Sequence, residues 1–315
     1  MIRTGKPWRE GQYQMTKKQM VVGGCGFIGS HIVNRLHDLG HDVVVIDDLS
    51  ASENNEFYFH PDSERVTYHR WDISKDNCSS AFTNIDCVFH LAARSRIQPT
   101  IQSPSECFEV NVVGTQRVLE WSRINSVRKL IYSGTSSLYG HQNSIPFQPN
   151  MPPDCLNPYS MSKWMGEQTC KLYSQLYDLS TIVLRYFNVY GPQEPTKGQY
   201  APVIGLFKRQ VANGESMTVV GDGSQRRDFT YVSDVVDANV CAMNTLESEV
   251  HFGVYNVGTG ANHSINEVAG MIGDNMIYIN QRPAEVQETL ADIEATKRDL
   301  GWVPTKRLED MIMSY

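Results

Sequence analysis

Lys18-Gln19-Met20-Val21-Val22-Gly23-Gly24-Cys25-Gly26-Phe27-Ile28-Gly29 sets an apolar run against three glycines spaced three apart. Met20 to Val22 predicts a strand, and Gly29 to Leu39 predicts a helix. Glycines at 23, 26 and 29 let the chain turn tightly between the two. They also let a pyrophosphate approach the helix N-terminus, where free N–H groups and the helix dipole favour anions. A second strand, Val43 to Ile46, is closed by Asp47. That places an acid about 20 residues beyond the turn, the offset at which a carboxylate accepts the hydroxyls of an adenosine ribose. An acid there repels a 2′-phosphate, so the pattern predicts NAD rather than NADP. A bare strand–helix turn would also use the glycines; Asp47 at the next strand end favours the ligand.

Working outward, short apolar runs alternate with longer amphipathic ones. Val66-Thr67-Tyr68, Asp86 to Leu91, Lys129 to Tyr132 and Thr181 to Tyr186 predict strands, and Pro104 to Ile124 predicts one long helix. Alternation of this kind predicts an α/β fold, a doubly wound parallel sheet of the Rossmann type. Gly191 to Pro202, rich in Pro, Gly and Gln, reads as a loop into a smaller mixed α/β substrate domain. The expected division is 17–188 for the dinucleotide part, with 228–258 returning to it, and 189–227 plus 259–315 for the substrate part. Residues 1–16 read as a disordered extension, polar and basic with no apolar core of a secretory signal.

The totals exclude several classes. A chain of 315 residues with 41% hydrophobic and 20% charged residues is ordinary for a globular protein. A net charge of −7 argues against nucleic acid, and no apolar stretch is long enough for a membrane span. The 7 Cys are scattered without a Cys-x-x-Cys pair, which predicts a reducing, cytoplasmic setting and no structural zinc. The 9 His lack metal spacing; His37 and His41 are separated by Gly40, which ends their helix.

Asn157-Pro158-Tyr159-Ser160-Met161-Ser162-Lys163 reads as a helix start, with Asn157 the N-cap and Pro158 at the first position. Residues four apart share a face, so Tyr159 and Lys163 project into one cleft. A nearby cation favours the phenolate, which predicts a Tyr159 pKa drawn down towards working pH and a usable general base. Such a pair arises often by chance, and its weight comes from its neighbours. Asp72 and Ile73, Leu91-Ala92-Ala93 and the hydroxyls of Ser133 to Ser137 fall at predicted strand ends, where open α/β sheets bind ligands.

Taken together the chain resembles the extended short-chain dehydrogenase/reductase family, and within it the UDP-sugar 4-epimerases. The resemblance runs from about Lys18 onward. It rests on the glycine turn, Asp47-Asp48-Leu49-Ser50, His90 to Ala93, Asn111-x-x-Gly114-Thr115, Ser133 to Gly140 and Tyr159-x-x-x-Lys163. It continues through Arg185 to Pro192, Gly221-Asp222-Gly223, Arg227-Asp228-Phe229, Tyr255 to Gly258 and Arg282-x-x-Glu285. The resemblance implies Tyr159 as base, Lys163 as its acidifier and ribose contact, and Thr135 as a hydroxyl bridging sugar and base. It implies NAD held by Gly23, Gly26, Phe27, Ile28, Gly29, Asp47, Asp48, Asp72, Ile73, Leu91, Ala92, Ala93, Asn111, Ser133, Tyr159 and Lys163. Asn188, Arg227 and Arg282 are similar to groups that grip the nucleotide diphosphate of a UDP-sugar, with Thr135, Glu285 and Thr289 beside it. Two arginines suit a pyrophosphate, which takes bidentate charge-assisted bonds; Arg226 fits a surface ion pair equally well.

Ser136 and Ser137 stand where related dehydratases and decarboxylases carry an acid, so the expected chemistry ends at oxidation and reduction of C4. Thr289 stands where a bulky Tyr restricts some members to plain hexoses, which predicts room for a 2-acetamido group. Val22 for Thr, Cys25 for Ala, Ala284 for Gly and an end at Tyr315, short of the usual last helix, depart from the pattern. A 4-keto-sugar reductase or dehydrogenase is an alternative, separated by its consumption of external cofactor, and a non-catalytic NAD-binding sensor is another. By analogy the helices from Pro104 and Pro158 pair into a homodimer; most of their apolar residues (Val110, Val118, Leu119, Trp121, Trp164, Met165, Leu172, Leu176) are expected in the core.

Overall fold

The structure, a computed structural model, describes residues 17–51, 56–197, 201–281 and 286–315. The extension expected over 1–16 lies outside the described residues. Six strands, β1 (Lys18–Val22), β2 (Asp42–Asp47), β3 (Val66–Arg70), β4 (Ile85–His90), β5 (Lys129–Thr135) and β6 (Ser180–Tyr186), join a seventh, Phe252–Val257, in one sheet. The order across it is Phe252–Val257, β6, β5, β4, β1, β2, β3, and every pairing is parallel. β1 aligns Met20 with Val44 on one side and Val88 on the other. The order reverses at β1, and such a reversal opens a crevice beyond the strands' carboxyl ends.

Both faces of the sheet are covered, which is why the strands read as near-continuous apolar runs. All seven residues of β5 are buried. On one face lie α1 (Phe27–Asp38) and a helix at Val232–Asn244, through Ile32, Val33, Leu36, Val235 and Val236. On the other lie α2 (Ile97–Gln102), α3 (Pro104–Phe108), α4 (Thr115–Ile124) and α5 (Pro158–Tyr177); Val118, Leu119, Trp121, Cys170 and Tyr173 fill that core. A separate core, around Ile204, Phe207, Met217, Val219 and Val268, holds α6 (Val203–Ala212) and α7 (Ile265–Ile272) against a parallel pair, Met217–Val220 with Met276–Ile279.

α1 ends at Asp38 with Gly40 at φ 89°, as its glycine predicts. The helix expected over Pro104–Ile124 is interrupted: Glu109–Gly114 winds as a π-helix between α3 and α4. Gly114 is packed so that a Cβ there would lie 2.9 Å from the Ile73 side chain. On α5 the apolar residues do not all reach the core. Val118, Leu119 and Trp121 of α4 are buried, whereas Met165, Leu172 and Leu176 of α5 are exposed and Trp164 is half-buried. No described helix is long and apolar enough to cross a membrane.

Candidate active site

A cavity of about 540 Å³ opens at the carboxyl ends of β1, β2, β4 and β5. Gly23, Gly26, Phe27, Ile28, Gly29, Asp47, Asp48, Asp72, Ile73, Leu91, Ala92, Ala93, Ser133, Thr135, Tyr159, Lys163, Asn188, Arg227 and Thr289 all line it. Residues far apart in the chain therefore meet in one place.

The glycine turn is held by backbone. Gly23 sits at φ 86°, and its amide donates to the Ile46 carbonyl at 2.7 Å. A Cβ at Gly29 would come within 2.1 Å of the Gly23 carbonyl oxygen, so the helix can close on the strand only with glycine there. The Val22 carbonyl accepts from Leu91 and Ala92 at 2.8 and 2.9 Å, and the Val22 side chain is core. The Asp47 carboxylate accepts from the Cys25 amide at 3.0 Å and the Leu49 amide at 2.9 Å. Burial pushes its pKa up, and those two amides oppose the rise. The Asp48 carboxylate accepts from Ser50, and Asp72 from Ser74 and Lys75, at the rim. The first amides of α1 have no acceptor within their helix and stand at the cavity wall. This donor set, with a carboxylate at the next strand end, fits a dinucleotide.

α5 starts as its sequence dictates. Asn157 Oδ1 accepts from the Ser160 amide at 2.9 Å, Ser160 Oγ reaches back to the Asn157 amide, and Pro158 takes the first position. Thr135, at the end of β5, lines the same cavity as Tyr159, and its Oγ1 accepts from the Ser137 amide at 3.1 Å. Lys163 is buried; its Nζ lies 4.1 Å from the centre of the Tyr132 ring, and burial pushes its pKa down to about 8. Here the expectation of a Tyr159 acidified by Lys163 is corrected. Burial raises the Tyr159 pKa above its ordinary value, and what opposes the rise is the neighbouring Thr135 hydroxyl and the charge of Arg96. Arg96 belongs to no motif or spacing pattern, so sequence reasoning missed it.

Asn111, expected on the cofactor, is buried behind the wall instead. Its side chain accepts from the Arg94 amide at 2.7 Å and donates to the Arg94 carbonyl and Ser162 Oγ. The Asn188 side-chain amide donates to the Asp228 carbonyl at 2.8 Å and to Thr289 Oγ1 at 3.3 Å. Arg227 donates to the Arg226 and Gln287 carbonyls, and Arg226 pairs with Glu267 at 3.3 Å, the surface contact foreseen for it. The buried Asp228 carboxylate gathers amides of Thr259, Gly260 and Ala291, tying three segments beneath Arg227. Arg282, Ala284 and Glu285 lie outside the described residues. Among the described residues no His, Cys, Asp and Glu group suits a metal ion.

A doubly wound parallel sheet, a glycine turn beside its reversal and an acid closing β2 define a dinucleotide-dependent enzyme. A model of the NAD dependent epimerase/dehydratase family matches residues 19–258. A putative UDP-glucose 4-epimerase of Methanocaldococcus jannaschii is 35% identical over 300 residues, spanning 93% of this chain and 95% of that one. The solved UDP-N-acetylglucosamine 4-epimerase of Methanobrevibacter ruminantium, in complex with UDP-N-acetylmuramic acid, aligns at TM-score 0.87 and 31% identity over 95% of this chain and 96% of that one. The UDP-glucose 4-epimerase of Thermus thermophilus, solved with NAD, aligns at TM-score 0.84 and 31% identity over 94% and 96%. The chain belongs to the NAD dependent epimerase/dehydratase family, and its cofactor is NAD.

Proposed function

We propose that the protein inverts C4 of a UDP-hexose, plain or N-acetylated at C2, through a transient 4-keto sugar. The observation that carries this reading is the meeting of Tyr159, Thr135 and the buried Lys163 in the cavity that the glycine turn also lines. Tyr159, as phenolate, takes the proton of the C4 hydroxyl directly or through Thr135, and later returns it. NAD, when bound, supplies reversible hydride acceptance at C4 and is regenerated each cycle. Arg227, Asn188 and Arg282 hold the diphosphate while the keto sugar turns over. Ser136 and Ser137 offer no carboxylate for elimination or decarboxylation.

Incubation with UDP-glucose and with UDP-N-acetylglucosamine, without added NAD, should yield the C4 epimers. Tyr159→Phe should abolish turnover while NAD stays bound; appreciable remaining activity would refute the assignment of the base.

Residues 17–188 with 228–258 serve the cofactor in this reading, and 189–227 with 259–315 the sugar nucleotide. Free thiols at all seven cysteines support a cytoplasmic setting. A homodimer through α4 and α5 is supported by exposed Val113 at the start of that pair, Ile124 on α4, and Met161, Met165, Leu172 and Leu176 on α5.

A further inference from the structure

Arg94 stands just beyond β4 and Ser50 just beyond β2, and both line the cavity. In the sheet β1 lies between those two strands, and the glycine turn follows β1. Neighbouring strands lie about 4.8 Å apart, so the two rims face each other across about 10 Å. The Arg94 side chain crosses that gap: its Nη1 donates to Ser50 Oγ at 2.7 Å. The arm therefore spans the end of β1, where the glycine turn meets the pyrophosphate of a dinucleotide.

Each end of the arm is fixed to its own wall. The Asn111 side chain accepts from the Arg94 amide at 2.7 Å and donates to the Arg94 carbonyl at 3.0 Å, holding both backbone groups of that residue. The same Nδ2 donates to Ser162 Oγ on α5 at 2.9 Å. Arg94 Nη2 pairs with Glu106 on α3 at 2.8 Å. On the far rim the Ser50 amide and hydroxyl donate to the Asp48 carboxylate at 3.0 and 2.6 Å. Ser50 Oγ thus gives its proton to Asp48 and keeps its lone pairs for the guanidinium. Arg94 Nε is buried and has no hydrogen-bond partner among the described residues. A buried cationic donor left over at this wall suits an anionic ligand.

We propose that Arg94 is the clasp that retains NAD, joining the β4 and β2 rims across the bound dinucleotide, with Asn111 as its positioning residue. The inference uses the cofactor of the family and no step of the sugar chemistry, so it goes beyond the epimerase reading.

The test follows NAD exit from the purified holoprotein. Alcohol dehydrogenase with excess ethanol converts each released NAD to NADH, read by its fluorescence. Ser50→Ala removes the acceptor and leaves the guanidinium and the Ser50 amide bond to Asp48; Arg94→Met removes the arm. Exit should quicken several-fold in Ser50→Ala and about tenfold or more in Arg94→Met, the scale of a charge-assisted hydrogen bond. The double variant should release NAD no faster than Arg94→Met, because the two residues share one bond. If Arg94→Met does not fold, Ser50→Ala decides alone. Unchanged exit in Ser50→Ala overturns the clasp. So does a double variant whose gains multiply, which would make the two residues independent NAD contacts. No turnover is read, so a protein that never epimerises UDP-sugars still passes or fails this test.

Discussion

Thr289 is the side chain on which the proposed sugar specificity can be tested. It is buried at 4% exposure, its hydroxyl accepts from the Asp228 amide and the Asn188 side chain, and it lines the cavity near Arg227. A small residue leaves volume that a large one would fill. Thr289→Tyr is expected to cut kcat/KM for UDP-N-acetylglucosamine by about tenfold or more relative to UDP-glucose, the scale on which pockets reject added bulk. Steady-state rates on both sugars check it; equal losses on the two would sink the specificity role. At this scale the sequence was legible where chemistry is local. The glycines, Asp47 and the Asn157 cap act through their own turns. Arg96 was not legible, and Asp228 was read only as part of Arg227-Asp228-Phe229, because its partners Thr259, Gly260 and Ala291 lie dozens of residues away and leave no spacing to read.

Elements were legible from period and run length, and less so where a side chain bends the rule. β1, β2 and β4 to β6 match the apolar runs, since strands buried on both faces need no alternation, whereas β3, at the sheet edge, buries only Val66. The π-turn of 109–114 escaped because apolar spacing over Pro104–Ile124 fits an unbroken helix; Asn111, which bonds Arg94 and Ser162, lies within it. How α5 is fastened to β6 was equally hidden. Glu167 on α5 meets Arg185 on β6 at 2.7 Å, both buried, and Arg185 also donates to the Tyr139 hydroxyl and the Pro149 carbonyl. Removing one partner of such a pair strands the other charge. Glu167→Met should therefore cost roughly 3–5 kcal/mol in urea unfolding, while Glu167→Met with Arg185→Met should recover much of it. A single variant that loses under about 1 kcal/mol would show that the pair fastens nothing.

For the whole molecule, the proposed homodimer rests on α4 and α5. They pack through Gln116, Glu120 and Tyr173, yet leave Leu172 at 48% and Leu176 at 62% exposed on the outward side. A stable interface needs about 800 Å² from each copy, which a two-helix face of this kind can supply. In sedimentation velocity the protein should run as a dimer, and Leu172→Glu with Leu176→Glu should run as a monomer with unchanged helix content. A monomeric unsubstituted protein, or a dimeric variant, would remove this face from consideration.

The seventh strand has a consequence in time as well as in space. β6 is buried along its whole length, and one of its two edges pairs only with Phe252–Val257. On the ribosome, every residue of β1 to β6 is made before that partner exists. The growing chain therefore carries a finished apolar strand with an unpaired edge for the synthesis of more than sixty further residues, and an open edge is a template for a neighbouring chain. Residues 189–227, the first of the two segments proposed above to serve the sugar nucleotide, are made during that interval, and 259–315 follow it. The last strand thus closes the sheet only after the intervening segment has been laid down.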